Sequence, residues 1–507
     1  MATGIARPPV LWRFSRKQAV RQQAVIDIGS NSVRLLVYQI DGRSIVPRLN
    51  EKVMAGLGRG LADTGRLSPE GVEAALQALS RYSAICSSLG VDDVTAIATA
   101  ATREAEDGDA FCEEIERVSG FPVRVLTGPE EAHYAALGVV AGQGAPTGLI
   151  GDLGGSSLEL ITTESGELTE GKTYKLGPFA LQAFQPDDKT SLSSHVKKVL
   201  KAQGGVPKCR NFYTVGGAWR AIASIHMALN NYPLQVLQSY VVSASEMISL
   251  CKLLMDAKKR PDDLIRSVAG KRTPIIEYAA LTLKTVLEMS KADNVVVSAN
   301  GVREGLVFSG MEAETQRLDP LFAGVARLAR QDSRQAGFTK ELHNFSADIL
   351  SALPPVFGDT HAPEDRLHEA AFLLADIGAT MHPDHRSDIA RQIVLRGPYS
   401  GADHPARIYL GLVTAIRYWR KFTPTDLETS ALTPEQIDRA KTVALIIRLA
   451  AEFSGRTERI LKRASLSVDD GKLVLTIQKR HQNLMSDGVR KRLGHLASQL
   501  NLEADVR

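Results

Sequence analysis

The sequence predicts an α/β protein in which a mixed-sheet domain occurs twice, followed by an all-α domain and a small C-terminal segment. Three observations predict it. A strand that ends in an acid and opens into a loop of glycine and small polar residues occurs twice. Strand and helix signals alternate as far as about Phe308, the pattern of layered α/β domains. Beyond that point strand signals stop and amphipathic helices follow one another.

Residues 1–23 read as a basic arm. Arg7, Arg13, Arg16, Lys17 and Arg21 precede the first acid, Asp27, and the stretch lacks the apolar segment and cleavage site of a secretory signal. The first domain spans 24–142. Ala24–Ile28 is an apolar strand opening into Gly29-Ser30-Asn31-Ser32, and Val33–Ile40 is the returning strand, closed by the turn Asp41-Gly42. Pro69–Leu89 has helical periodicity with Ser68 as cap, Val94–Ala98 and Val123–Leu126 are short strands, and Glu130–Val140 is helical. Gly142–Gly148 is a Gly/Pro-rich connector, after which the pattern restarts in a second domain, 148–310. There the strand Leu149–Asp152 opens into Gly154-Gly155-Ser156-Ser157 and returns as Leu158–Thr162, about 125 residues after its counterpart. A duplicated domain with one such loop per half is the architecture of actin, hexokinase and their relatives, so two actin-like (ribonuclease H-like) domains are expected. A helical domain follows at 318–461, with helices expected at Arg366–Ile377, Ser387–Leu395 and Pro434–Phe453. The last segment, 462–507, holds a strand at Leu473–Ile477 and a polar, basic tail.

A chain of 507 residues is too long for one core and suggests two to four domains. Hydrophobic residues at 44% and charged residues at 23% exclude a disordered chain. No apolar run approaches the roughly 18–20 residues of a membrane helix, so no membrane partner is expected. Cys86, Cys112, Cys209 and Cys251 are widely spaced, which argues against a disulfide scaffold or zinc site and points to the cytoplasm. A net charge of +4 does not by itself imply DNA or RNA, and neither is expected as a partner. The run from Arg456 to Arg492 is rich in base and reads as either a solvated helix face or a polyanion-binding track.

The loops carry the chemistry. In DIGSNS a tight turn between antiparallel strands lets backbone N–H groups point into a cleft, and Ser30, Asn31 and Ser32 add donors suited to phosphate oxygens. Asp27, at the strand end, is placed to touch a metal or its water. Taken alone, an ordinary hairpin turn accounts for this loop equally well. In DLGGSSLEL, Asp152 and Glu159 lie seven apart across a hairpin. Two carboxylates beside a glycine-rich cradle suit magnesium, which takes one or two carboxylates besides phosphates and water. Arg103, just past a strand end, suits bidentate phosphate capture. Glu130 and Glu131 open a helix, one as a first-turn charge and the other as a general base facing a cleft.

DIGSNSVRLLV, ATAATREAEDGDAF, LTGPEEAHYAALG, DLGGSSLELI, VGGAWRAIA (Val215–Ala223) and SANGVREGLV (Ser298–Val307) stand in the order seen in the exopolyphosphatase and guanosine pentaphosphate phosphatase family. The chain resembles that family closely over about residues 23–308 and loosely beyond. The resemblance implies that Glu131 is the catalytic base and that Asp152 and Glu159 are associated with magnesium, manganese being the alternative ion. It implies phosphate binding by Ser30, Asn31, Arg103, Gly154, Gly155 and Ser157, and a third loop at Gly216-Gly217. Ser156 stands where the family usually has a third glycine, Ala218 where threonine is common, and Lys271–Thr285 lacks the usual arginine-acidic pattern. The helical domain resembles a degenerate HD phosphohydrolase domain. Its His-Asp pair would fall at Ala375-Asp376, where only the aspartate is present, with His368, His382 and His385 nearby. A homodimer is also implied.

The expected function is Mg-assisted, in-line release of terminal orthophosphate from inorganic polyphosphate, with water activated by Glu131. Guanosine pentaphosphate 5'-phosphohydrolysis is the alternative. An actin-like kinase would need an adenosine segment and an acceptor pocket that the sequence does not show. A non-catalytic polyphosphate or nucleotide sensor would be indifferent to Glu131→Gln.

Overall fold

The computed structural model describes residues 20–184, 189–330 and 335–507, so Arg7, Arg13, Arg16 and Lys17 of the basic arm lie outside the described residues. The chain forms two compact units, one spanning Ala19–Pro320 and the other built on Leu321–Arg507.

The first unit holds two sheets with the same plan. In the first, β1 (Arg21–Ile28) is flanked by antiparallel β2 (Val33–Asp41) and parallel β4 (Val94–Ala98), with β3 (Ser44–Val53) and β5 (Val123–Val125) at the edges. Ala24, Val25 and Ile26 are fully buried, as a central strand covered on both faces must be. The sequence does not announce β3. Pro47 and the charges around it break the alternation, but an edge strand tolerates a proline, here beside a register shift between Val37 and Tyr38.

In the second sheet β6 (Gly148–Leu153) and β7 (Leu158–Glu164) form the hairpin, and the short β8 (Glu167–Leu168) and β9 (Lys172–Tyr174) lie outside β7. On the other side of β6 come parallel β10 (Asn211–Val215) and β12 (Asn294–Val297), with antiparallel β11 (Tyr240–Ser243) at the edge. Hairpin, outer antiparallel strand and two parallel strands therefore occur twice. This is the duplication that the repeated loops foretell.

Two helices join the halves. Leu306, Val307 and Phe308, from helix Val302–Ser309, pack with Val25, Leu36 and Tyr38 of the first sheet. This helix follows β12 in the chain yet covers the earlier sheet. Its partner there is helix Gly128–Gln143, and glycines set the approach. A Cβ on Gly305 would run into the Tyr134 carbonyl oxygen, and one on Gly138 into that of Gly301. Backbone cannot yield as a side-chain tip can. Gly305→Ala is therefore expected to lose about 3 kcal/mol, read as a fall of roughly 6–12 °C in Tm. A Tm within a degree of wild type would refute this packing.

The second unit is mainly helical. Helices Ala362–Leu373, Arg386–Arg396, His404–Tyr418 and Pro434–Ser454 carry its core, with residues such as Ile408, Leu410, Val443 and Ile446 fully buried. Buried guanidinium–carboxylate pairs tie the helices together: Arg391 Nε donates to Glu428 at 2.9 Å, and Arg439 is paired with Glu364. Burial pushes His368, 3.4 Å from Glu364, down to about 4, so it packs as a neutral ring. Asp376 faces Arg417 at 3.4 Å and Arg456 at 3.8 Å, while His382 and His385 are exposed.

The expected polar tail is folded. Strands β13 (Ala464–Asp469), β14 (Lys472–Ile477) and β15 (Glu503–Val506) form a sheet, joined by helix Asp487–Gln499. The basic run is accordingly spread over strands, turns and helix. Arg456, Lys462 and Arg492 each face an acid, at Asp376, Glu341 and Glu452.

Candidate active site

Both hairpins end on the same cleft, a space of about 780 Å³. The two loops are built alike. The Gly29 amide donates to the Ser32 carbonyl at 3.0 Å, and the Gly154 amide donates to that of Ser157 at 3.0 Å. The carbonyls inside each turn are taken by chain that follows: Ser30 and Asn31 accept from Gly58 and Gly56, and Gly155 and Ser156 accept from Phe179 and Gly177. With its carbonyl edge engaged, each loop has its amide edge left to offer an anion. Neither Gly154, Gly155 nor Ser156 takes a positive φ, so serine in the third place costs no backbone strain.

Asp27, Ser30, Asn31, Ser32, Glu131, Asp152, Gly154, Gly155, Ser156, Ser157, Gly216 and Gly217 all line this cleft. Two expected members do not. Arg103 lies beside the base instead of on the wall, donating to the Leu126 carbonyl at 2.5 Å and standing 3.5 Å from Glu131. Glu159 lies beneath the floor, 2% exposed, opposite Asp152 in the β6–β7 register.

The adjacent glutamates at the start of helix Gly128–Gln143 have opposite environments. Glu130 closes a capping box, accepting from the Thr127 amide at 2.8 Å and from Arg124 at 2.5 Å; with the backbone bond as largest cause, its carboxyl falls to about 2. Glu131 has a side chain only 12% exposed. Burial first, and then Asp152, push it up to about 7. Burial also lifts Asp152 to about 6, with Asp27 adding to the rise. Glu159 is raised well above the usual range by burial and then by Glu131 and Asp152, with the neighbouring Ser157 hydroxyl working against the rise.

Three carboxyls that resist ionisation together, Glu131, Asp152 and Glu159, with the Asp27 carboxylate on the same cleft, are a donor set that fits a divalent cation. Among the described residues no three His, Cys, Asp or Glu form a ready metal cage. Magnesium does not need one, because it draws on one or two carboxylates, waters and substrate phosphates.

The raised carboxyls have a consequence for stability. Each binds protons more tightly folded than unfolded, so its contribution is fully present at low pH and is lost as pH rises through about 6 to 7. In EDTA, Tm is expected to fall between about pH 5.5 and about pH 8, and magnesium to raise Tm more at the higher pH. A magnesium effect independent of pH would place the ion elsewhere.

Arginines missed by sequence reasoning also line the cleft. Arg220 donates to the Ala299 carbonyl at 2.8 Å and to that of Gly216 at 3.2 Å. Arg303 stands 3.7 Å from Asp27 with its Nη1 buried and unpartnered. Its helix is anchored by Glu304, which accepts from Tyr38 at 2.5 Å and from the Gly301 amide at 2.8 Å. The signal was present in VGGAWRAIA and SANGVREGLV, where each arginine sits in the first turn of a helix that starts at the cleft. Gly216 is required where it stands. Its φ is +100°, and a Cβ would strike the Leu153 carbonyl and come within 3.0 Å of Asp152 Oδ1.

The sequence profile of the Ppx/GppA phosphatase family matches residues 36–314. The chain belongs to that family. A profile described as exopolyphosphatase, C-terminal, matches residues 321–504. The chain is similar to a guanosine-5'-triphosphate,3'-diphosphate pyrophosphatase of Vibrio vulnificus, 24% identical over 462 residues and covering 90% of this chain and 91% of that one. Retrograde regulation protein 2 of Saccharomyces cerevisiae is 25% identical, over 73% of this chain and 67% of its own. The crystal structure of the Aquifex aeolicus Ppx/GppA family member superposes with a TM-score of 0.52 at 25% identity, covering 57% of this chain and 97% of that one. An exopolyphosphatase structure from Cytophaga hutchinsonii, 23% identical with a TM-score of 0.51, shares the fold over 57% of this chain and 97% of its own. As a Ppx/GppA phosphatase the chain is a hydrolase. No helix among its described residues is long and apolar enough to cross a membrane.

Proposed function

We propose that this chain is an exopolyphosphatase, releasing orthophosphate from the end of inorganic polyphosphate by in-line attack of water. The observation that carries the reading is the placement of Glu131, held near neutrality at about 7 and facing two amide-lined loops across one cleft. A carboxylate of that basicity can accept the proton of an attacking water without being saturated by protons at working pH. The amides and hydroxyls of Ser30–Ser32 and Gly154–Ser157 hold the terminal and penultimate phosphates, and Arg303 and Arg220 offset their charge. Arg103 orients Glu131. Asp152 and Asp27, which line the cleft, would hold magnesium or manganese, with Glu159 behind Asp152 adding negative charge, and the ion when bound would neutralise charge on the phosphoryl oxygens. The shortened polyphosphate leaves.

Guanosine pentaphosphate is the second reading, supported by the name of the Vibrio relative, which matches 90% of this chain. Phosphate release from long-chain polyphosphate and from guanosine pentaphosphate, measured side by side with magnesium, tests both. Faster release from the polymer supports the exopolyphosphatase. Release from the nucleotide alone moves the chain to the alarmone reading, and release from neither defeats both.

A further inference from the structure

The cleft holds more positive charge than a terminal phosphate and its neighbour require. Lys52 stands on β3 in the first half of the unit, and Lys271 and Arg272 stand on the turn Gly270–Ile275 in the second half. All three line the same cleft, in addition to Arg220 and Arg303. The Arg272 guanidinium lies over the third loop: a Cβ on Gly217 would come within 2.8 Å of its Nη2. Arg303 has Asp27 nearby, but among the described residues no acid lies within 4.0 Å of Lys52, Lys271 or Arg272. Burial, and then Arg272, Arg34, Arg303 and Lys271, hold the Lys52 ammonium below its ordinary value, so these cations sense one another across the cleft.

Solvated surface lysines are the plain alternative. They would be expected to spread apart, or to sit among acids, as Lys462 does between Glu458 and Glu341. Unpaired cations converging from both walls of one cleft instead focus a field that only a polyanion relieves.

We propose that Lys52, Lys271 and Arg272 form a subsite for phosphate groups beyond the scissile anhydride, selecting substrates that carry a second cluster of phosphates. The inference rests on the phosphohydrolase reading and deepens it. Two sources offer the same chemistry: the interior of a polyphosphate chain, and the 3'-diphosphate of guanosine pentaphosphate.

The test is a Lys52→Gln/Lys271→Gln/Arg272→Gln variant of the full chain. Its kcat/KM is measured on long-chain polyphosphate against tripolyphosphate, and on guanosine pentaphosphate against GTP. The preference for the more highly phosphorylated member of one pair is expected to fall by about tenfold or more, through KM more than kcat, and to lose much of its salt dependence. The pair that responds identifies the source. Both preferences unchanged, including equal loss on all four substrates, would overturn the subsite. Equilibrium binding of long-chain polyphosphate and tripolyphosphate in EDTA, with and without the three substitutions, needs no turnover. A length preference lost in the variant supports the subsite even if the wild-type chain hydrolyses neither, whereas an unaltered preference overturns it.

Discussion

Glu131→Gln is expected to lower kcat for phosphate release by about 10²- to 10⁴-fold, with KM little changed. The change keeps size and shape but removes the only function assigned to this side chain, acceptance of the proton from water. Metal-free Tm should stay level or rise, because the variant no longer sets a carboxylate against Asp152 and Glu159. Glu130→Ala is the comparison. It removes one half of the capping box of the same helix, leaving the Thr127 cap, and should cost about 1 kcal/mol of stability, with kcat largely retained, because Glu130 is engaged with Thr127 and Arg124 outside the cleft lining. Steady-state phosphate release and thermal unfolding on both variants separate the roles. If Glu131→Gln keeps more than about a tenth of wild-type kcat, another group is the base.

Asp152→Asn is expected to move activity and stability in opposite directions. Activity should fall by about 10²-fold or more, and the magnesium concentration for half-activation should rise, since the carboxylate at the end of β6 is lost as a ligand. The metal-free protein should melt higher than wild type, most clearly above about pH 7, where wild-type Asp152 carries a charge that burial and Asp27 oppose. Magnesium titrations of activity, with melts in EDTA, check both signs. An unchanged half-activating concentration would remove Asp152 from the cation site, and a lowered metal-free Tm would show that its charge is compensated after all.

Much of the site's chemistry is local, and was legible for that reason. Ser68 before Pro69 marks a helix start that forms as the cap requires, with Ser68 accepting from the Gly71 amide. An apolar strand ending in Asp and followed by glycine marked both hairpins. What stayed hidden needed partners distant in sequence. The edge strand Ser44–Val53 owes its existence to β2, not to its own alternation. The basic tail becomes ordered by pairing β15 with β14. Arg103 has a residue type suited to phosphate, yet its contact with the Leu126 carbonyl turns it to Glu131.

By itself the sequence determined the kinds of element, the duplicated loops and the residue types able to bind phosphate and a divalent cation, because propensity, capping and hydrophobic period act over a few neighbouring positions. Only the tertiary structure decided the opposite environments of Glu130 and Glu131, that Glu159 is buried opposite Asp152, that helix Val302–Ser309 returns to the first sheet, and that cations from positions 52, 220, 271, 272 and 303 meet in one space. Burial and Coulomb interaction depend on distance through space, which chain order does not encode.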